Sequence, residues 1–180
     1  MNKLILTTTA ALALATAASA QVIVGGAEMF ADRNIVENAV NSADHTTLVA
    51  AVQAADMVDT LSGEGPFTVF APTNAAFDQI SDESLEALLK PENKAQLQQI
   101  LGCHVVAADA MADAIKGMID DDAGNHPVPT VGGCTLQATY EGDNIMLTDE
   151  NGRVANVTIA DVDQSNGVIH VIDRVLLPKQ

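Results

Sequence analysis

Residues 65–77 read Gly65-Pro66-Phe67-Thr68-Val69-Phe70-Ala71-Pro72-Thr73-Asn74-Ala75-Ala76-Phe77, and residues 166–178 read Asn166-Gly167-Val168-Ile169-His170-Val171-Ile172-Asp173-Arg174-Val175-Leu176-Leu177-Pro178. In the first stretch, Phe67-Thr68-Val69-Phe70 is a strand candidate embedded among helical spacings. Pro72 ends it, Thr73 or Asn74 can cap the helix that follows, and Phe77 turns back towards the core. Four residues form no sheet alone, so this segment must pair with later strands. In the second stretch, Asn166-Gly167 makes a tight turn into Val168–Ile172, a run apolar on both faces and therefore expected in mid-core. Asp173 is expected to bond backbone or Arg174. The expected fold is α+β, closed by pairing between the beginning and the end of the chain.

The first half has helical periodicity. Ile35, Val36, Ala39 and Val40 recur at helix spacing, as do Leu48, Val52 and Ala55 behind the cap candidates Asp44 and Thr46. Leu85, Leu88 and Leu89 form a stripe opened by Ser81 and stopped by Pro91; Leu97, Ile100 and Leu101 form another, with Gly102 as its expected C-terminal cap. Residues 109–119 are one more candidate helix. From about Val128 the period becomes that of strands: Leu136–Tyr140, Ile145–Thr148, Val154–Val162 and Val168–Leu177, punctuated by Gly142-Asp143-Asn144, Asn151-Gly152 and Asn166-Gly167.

The two quoted stretches closely resemble the two signature segments of the fasciclin (FAS1) domain family. Between them, Leu101-Gly102-Cys103-His104-Val105-Val106 resembles that family's central Tyr-His strand. The resemblance covers about residues 33–178. It implies a wedge in which a β-sandwich of about seven strands is flanked by several helices, and a role in adhesion, matrix or cell-surface contact. Some algal members carry carotenoids, so the resemblance also implies an alternative, a carrier of an apolar small molecule such as a carotenoid or lipid. Pro66, Phe67, Phe70, Pro72, Thr73, Asn74, Phe77, Asn166, Gly167, His170 and Asp173 are assigned to the scaffold. His104, Val105 and Val106 are carried over as partner-binding candidates. The sequence departs from the family at Cys103, where a tyrosine is usual.

Met1-Asn2-Lys3, the apolar run Leu4–Ala17 and Ala18-Ser19-Ala20 have the pattern of a cleavable export signal over residues 1–20, too short to span a membrane. Residues 21–32 are then a short lead, followed by one domain over 33–178. The expected location is the periplasm or the extracellular medium. Without residues 1–20 the chain carries seven basic and 24 acidic side chains, a net charge of −17. Such a chain is repelled by nucleic acid and anionic lipid, and suits neutral glycans, basic surfaces, apolar small molecules or surfaces bridged by divalent cations. Together with the resemblance, this makes a cell-surface protein or polysaccharide the expected partner, with a monomer or weak oligomer as the expected state and no membrane insertion. The two cysteines, Cys103 and Cys134, are not a CxxC pair. In an oxidising compartment they are read as a disulfide, with two buried free thiols as the other reading. By the resemblance Cys103 opens a central strand, and Cys134 opens a later one, so the bridge is expected to tie two strands.

Four histidines, His45, His104, His126 and His170, lack any closely spaced metal-ligand pattern. His170 is read as a buried, hydrogen-bonded core residue. Asp120, Asp122 and Asn125 could offer oxygen to calcium, but Gly124 and the absence of a closing Glu break the EF-hand spacing, and Asp161-x-Asp163-x-Ser165 fails in the same way. Solvated acidic turns are the reading of both. No nucleophile elbow, phosphate loop or Walker pattern is present, and Cys103 beside His104 is not a dyad by adjacency. The expectation is a non-enzymatic binding module without cofactor.

Overall fold

The computed structural model describes residues 22–179. A hairpin of β1 (Ile23–Val24) and β2 (Ala27–Glu28) leads into α1 (Ile35–Ala39), a 3₁₀ turn (Ala43–His45), α2 (Thr46–Ala54) and α3 (Val58–Ser62). The strand β3 (Phe67–Pro72) follows, then α4 (Asn74–Phe77), α5 (Asp82–Leu88), a second 3₁₀ turn (Pro91–Asn93) and α6 (Lys94–Gly102). The second half runs β4 (Val105–Val106), α7 (Ala112–Asp121), β5 (His126–Pro129), β6 (Thr135–Glu141), β7 (Asn144–Thr148), β8 (Val154–Gln164) and β9 (Gly167–Ile172). Apart from the β1–β2 hairpin, the strands form one seven-stranded sheet in the order β4-β3-β9-β8-β7-β6-β5.

The anticipated closure joins β3 to β9. The pair is parallel and in register from Phe67↔Gly167 to Pro72↔Ile172. Both strands are covered on two sides, which explains their continuous apolar runs. Val69, Ala71, Ile169 and Val171 face one core, built with Ile35, Leu48, Val52, Leu61, Leu97 and Leu101 from the helices. Phe70 and Ile172 face a second core, shared with Leu136, Ala138, Ile145, Leu147, Ala155 and the α7 residues Ile115 and Ile119.

The sheet becomes a sandwich because β8 bends. Its pairing with β9 shifts register between Val157 and Ile159 and again between Ile159 and Val162. Inside that irregular stretch Asp161 has φ 57°. Aspartate tolerates this left-handed conformation better than most residues. The conformation also has a use: Asp161 Oδ1 accepts the Ala112 N–H at 2.6 Å, capping α7, whose own N-cap residue Met111 has no side-chain cap.

Several local expectations need correction. Neither Asp44 nor Thr46 caps α2. Its start is served by Asn74 Oδ1, which accepts from Thr47 N–H at 3.0 Å and from the Thr46 hydroxyl at 3.1 Å, while Asn74 Nδ2 donates to Ala43 O at 2.9 Å. The α4 cap is Thr73, which accepts from Ala76 N–H. Gly102 lies inside α6 rather than beyond it. Its small size answers a different demand, because a Cβ there would sit 2.7 Å from the Cα of Gly132. The last strand stops at Ile172, although Val175 and Leu176 beyond it remain buried. Asp173 does bond backbone, but on β8: it accepts from Asn156 N–H at 2.7 Å and also from Asn156 Nδ2 at 2.8 Å. Within the stretch read as a lead, Val24 and Met29 are buried against the helix-side core. The signal assigned to residues 1–20 lies outside the described residues.

Candidate functional site

The polar residues of the two signature stretches are consumed within the fold. Asn166 lies in the β8–β9 turn and reaches three backbone groups: Oδ1 accepts Ile35 N–H at 3.0 Å, and Nδ2 donates to Leu61 O at 2.8 Å and Gly63 O at 2.9 Å. One side chain thus ties α1 and the end of α3 to the start of β9. Gly65 and Gly167 face each other across the same junction. A Cβ on Gly167 would overlap the Phe67 carbonyl, and one on Gly65 would overlap the Asn166 carbonyl. The motif glycine therefore serves a close strand approach; the turn itself is made by Ser165 and Asn166.

His170 is fully buried on β9, its ring stacked on Phe70 with centroids 5.7 Å apart. Nδ1 accepts Asp161 N–H at 3.2 Å, so the proton is on Nε2, which donates to Ala110 O at 2.8 Å. His104 is arranged with the opposite tautomer. Nε2 accepts Leu176 N–H at 2.9 Å, which leaves Nδ1–H to donate to Ile100 O at 2.8 Å. With both nitrogens used and only 2 % of its surface exposed, His104 offers a partner nothing; it fastens α6 to the C-terminal segment. Val105 is buried as well, and Val106 is half-buried. The three residues also do not form a central strand: Cys103 caps α6 and β4 is two residues long, at one end of the sheet.

Burial pushes the His104 imidazolium down to about 4, against the opposing influence of the Ile100 carbonyl and Asp149. His170 and His45 are lowered for the same leading reason. Each of these rings has a folded pKa below the unfolded value near 6.5, so the unfolded chain binds protons first as pH falls. Stability is therefore level above about pH 6.5 and declines on acidification towards pH 4, by up to about 1.4 kcal/mol per pH unit for each such ring. Urea midpoints measured from pH 7.5 to 5 will fall, and His104→Gln, whose amide can both donate and accept, will reduce the slope by about one proton. A pH-independent midpoint would refute the neutral buried rings.

Cys103 and Cys134 are bonded, with Cα atoms 5.3 Å apart. The bridge joins the C-cap of α6 to the residue before β6, which corrects the expected strand-to-strand tie. It spans the place where the two end strands of the sheet, β4 and β5, come together. Val131 N–H donates to Val105 O at 2.8 Å beside it, and the Gly102 and Gly132 backbones touch. Away from this clamp the seam is open. Pro127 and Pro129 deprive β5 of two donors, so it cannot extend a ladder to β4. Between the end strands, under α7, lies an apolar cleft of about 200 Å³. Smaller apolar gaps of about 70 and 30 Å³ lie beneath α1 and α2, and a polar crevice of about 510 Å³ runs past Glu64, Asp109, Asp163 and Asn166.

The acidic turn holds its carboxylates apart. Asp120 accepts the Tyr140 hydroxyl at 2.6 Å, and Asp122 lies 2.6 Å from His126 Nδ1. The described residues contain no group of three or more His, Cys, Asp or Glu side chains arranged to hold a metal.

Sequence reasoning missed Asp149. Its buried carboxylate accepts from the N–H groups of Asn151, Arg153 and Leu177 and from the Arg153 guanidinium. Burial opposes its ionisation, but these donors prevail and hold the carboxyl below the usual range. The Asp-x-Asn-Gly spacing of a turn was the available signal. The Asn38–Gln164 amide pair, joining α1 to β8, had none.

The fasciclin domain model matches residues 43–178. Protein sll1483 of Synechocystis sp. is 44% identical over 149 residues, covering 80% of this chain and 73% of that protein. A second Synechocystis protein, sll1735, is 40% identical over 145 residues, covering 80% of this chain and 97% of that one. Among solved structures, a FAS1 domain pair from the insect cell adhesion molecule Fasciclin I superposes with a TM-score of 0.71 at 18% identity; the match covers 81% of this chain and 51% of that one. The chain thus spans about half of that pair, as one domain of two would. The class is a mixed α+β wedge built on a nearly closed seven-stranded sheet. The chain belongs to the fasciclin (FAS1) domain family.

Proposed function

We propose that this protein acts outside the cytoplasm as a single non-catalytic contact module that engages a cell-surface protein or polysaccharide. The observation that carries this reading is the family match over residues 43–178, in which the signature side chains are spent on internal bonds. Recognition then falls to the exterior, which is acidic in a chain of net charge −16. A strongly negative surface favours cationic protein patches or neutral glycans over nucleic acid. The disulfide and the leader-like first twenty residues support the location, and no described helix is long and apolar enough to cross a membrane. The test is attachment of a deletion strain to its surface or matrix, with and without added purified protein. Reduced attachment restored by the protein supports the reading; unchanged attachment overturns it.

A further inference from the structure

We propose that the cleft at the open seam of the sheet binds a small neutral ring alcohol, a phenol or a cyclic alcohol of one ring, with its hydroxyl on His126. This goes beyond the contact role, which needs no cavity.

The size and walls of the cleft select the ligand. An engineered apolar cavity of about 150 Å³ stays dry and takes up benzene. At about 200 Å³ this cleft has room for one ring and a short substituent, and none for a long polyene. Phe70 and Leu147 come from the sheet, Ile115 and Met118 from α7, and Val128 from β5. Thr68 is the wall's one hydroxyl, and it is already used twice: Oγ1 donates to Ala108 O at 2.7 Å and accepts Ala110 N–H at 2.9 Å. Water needs two to four polar partners to settle in such a space. The walls do not offer them.

His126 supplies the single polar contact. Its Nδ1 lies 2.6 Å from Asp122 Oδ2, and a carboxylate only accepts, so Nδ1 carries the proton. The other ring nitrogen, Nε2, makes no hydrogen bond to a described residue. An unbonded ring nitrogen at the edge of an apolar cleft calls for a ligand with one hydroxyl, which can donate or accept. A carboxylate ligand would meet Asp122 and a chain of net charge −16, which disfavours it. The way in is short, because Ala108 and Pro129 are exposed while Met118 and His126 are half-buried.

The experiment titrates the intact, disulfide-bonded protein with 4-methylphenol and separately with toluene, followed by methyl NMR and calorimetry. Saturable binding is expected, with shifts centred on Ile115, Met118, Val128 and Leu147, and with 4-methylphenol bound more tightly than toluene. Ala108→Trp and Met118→Trp will each abolish it. His126→Phe will weaken 4-methylphenol about tenfold, the worth of one hydrogen bond, and leave toluene unchanged. Absence of saturation, shifts centred on the α1–α2 side, or toluene binding as tightly as 4-methylphenol would overturn the proposal, and these three readouts need no variant to fold. Binding that persists in both folded tryptophan variants would overturn it equally. Attachment of the deletion strain is unaffected by any of these outcomes, so the contact role stands or falls separately.

Discussion

Gly167→Ala will cost at least about 4 kcal/mol of stability, enough to leave much of the protein unfolded. At this position the backbone has φ +155°, which side-chain-bearing residues rarely adopt, and an added Cβ would overlap the Phe67 carbonyl and lie 2.8 Å from Phe67 N. No flexible side chain is available to yield. The two backbones must separate, and they do so at the first rung of the parallel β3–β9 ladder, where Phe67 N–H also donates to Asn166 O at 3.1 Å. Gly117→Ala is the matching control. Gly117 lies within α7, and a Cβ there meets nothing within 4 Å. Alanine is the better helix former by up to about 1 kcal/mol, so this variant will gain stability. Urea melts of the two variants beside the parent check both signs; a Gly167→Ala midpoint near the parental one would contradict the close approach.

Cys103→Ala/Cys134→Ala will lose about 3.5 kcal/mol. The bridged residues are 31 apart in sequence, and cross-linking a loop of that length removes about this much chain entropy from the unfolded state. The measurement is a urea melt of the parent, with and without reductant, beside the double variant. Reductant should shift the parental curve onto that of the variant and leave the variant unmoved. A variant as stable as the oxidised parent would show that the seam holds without its clamp. Because the bridge sits where β4 and β5 converge, its loss will also raise hydrogen exchange at Val105 and Val131 before it does so at β9.

The architecture was legible where one element announces itself in its own residues. The unbroken apolar run at Val168–Ile172 placed β9 between two cores, and the isolated strand at Phe67 demanded a distant partner, which proved to be β9 itself. Ser81 and Thr73 were readable as caps because each serves the helix it precedes. Apart from the local turn around Asp149, the missed features depend on a second segment brought in by tertiary folding. Asn74 caps α2 from α4, Asp161 caps α7 from a bulge in β8, and Asn166 holds α1 from the far end of the chain. Nothing in the sequence near Thr46 or Met111 points to the residue that supplies the missing acceptor. Gly102 was misread for the same reason, since its constraint is Gly132, thirty residues on. His104 stood out by resemblance, but only its burial shows that both nitrogens are bonded inward.

The parallel pairing of β3 with β9 also bears on how the chain is made. Residues 67–72 find their main partner in residues 167–172, one hundred positions further along the chain. Until those emerge from the ribosome, β3 has only the two-residue β4 beside it and neither core can close. Pairing over such a separation is slow even when the chain is complete. The central β3–β9 pair therefore cannot form on a nascent chain that has not yet reached Ile172, and the helices made before it must wait for their sheet.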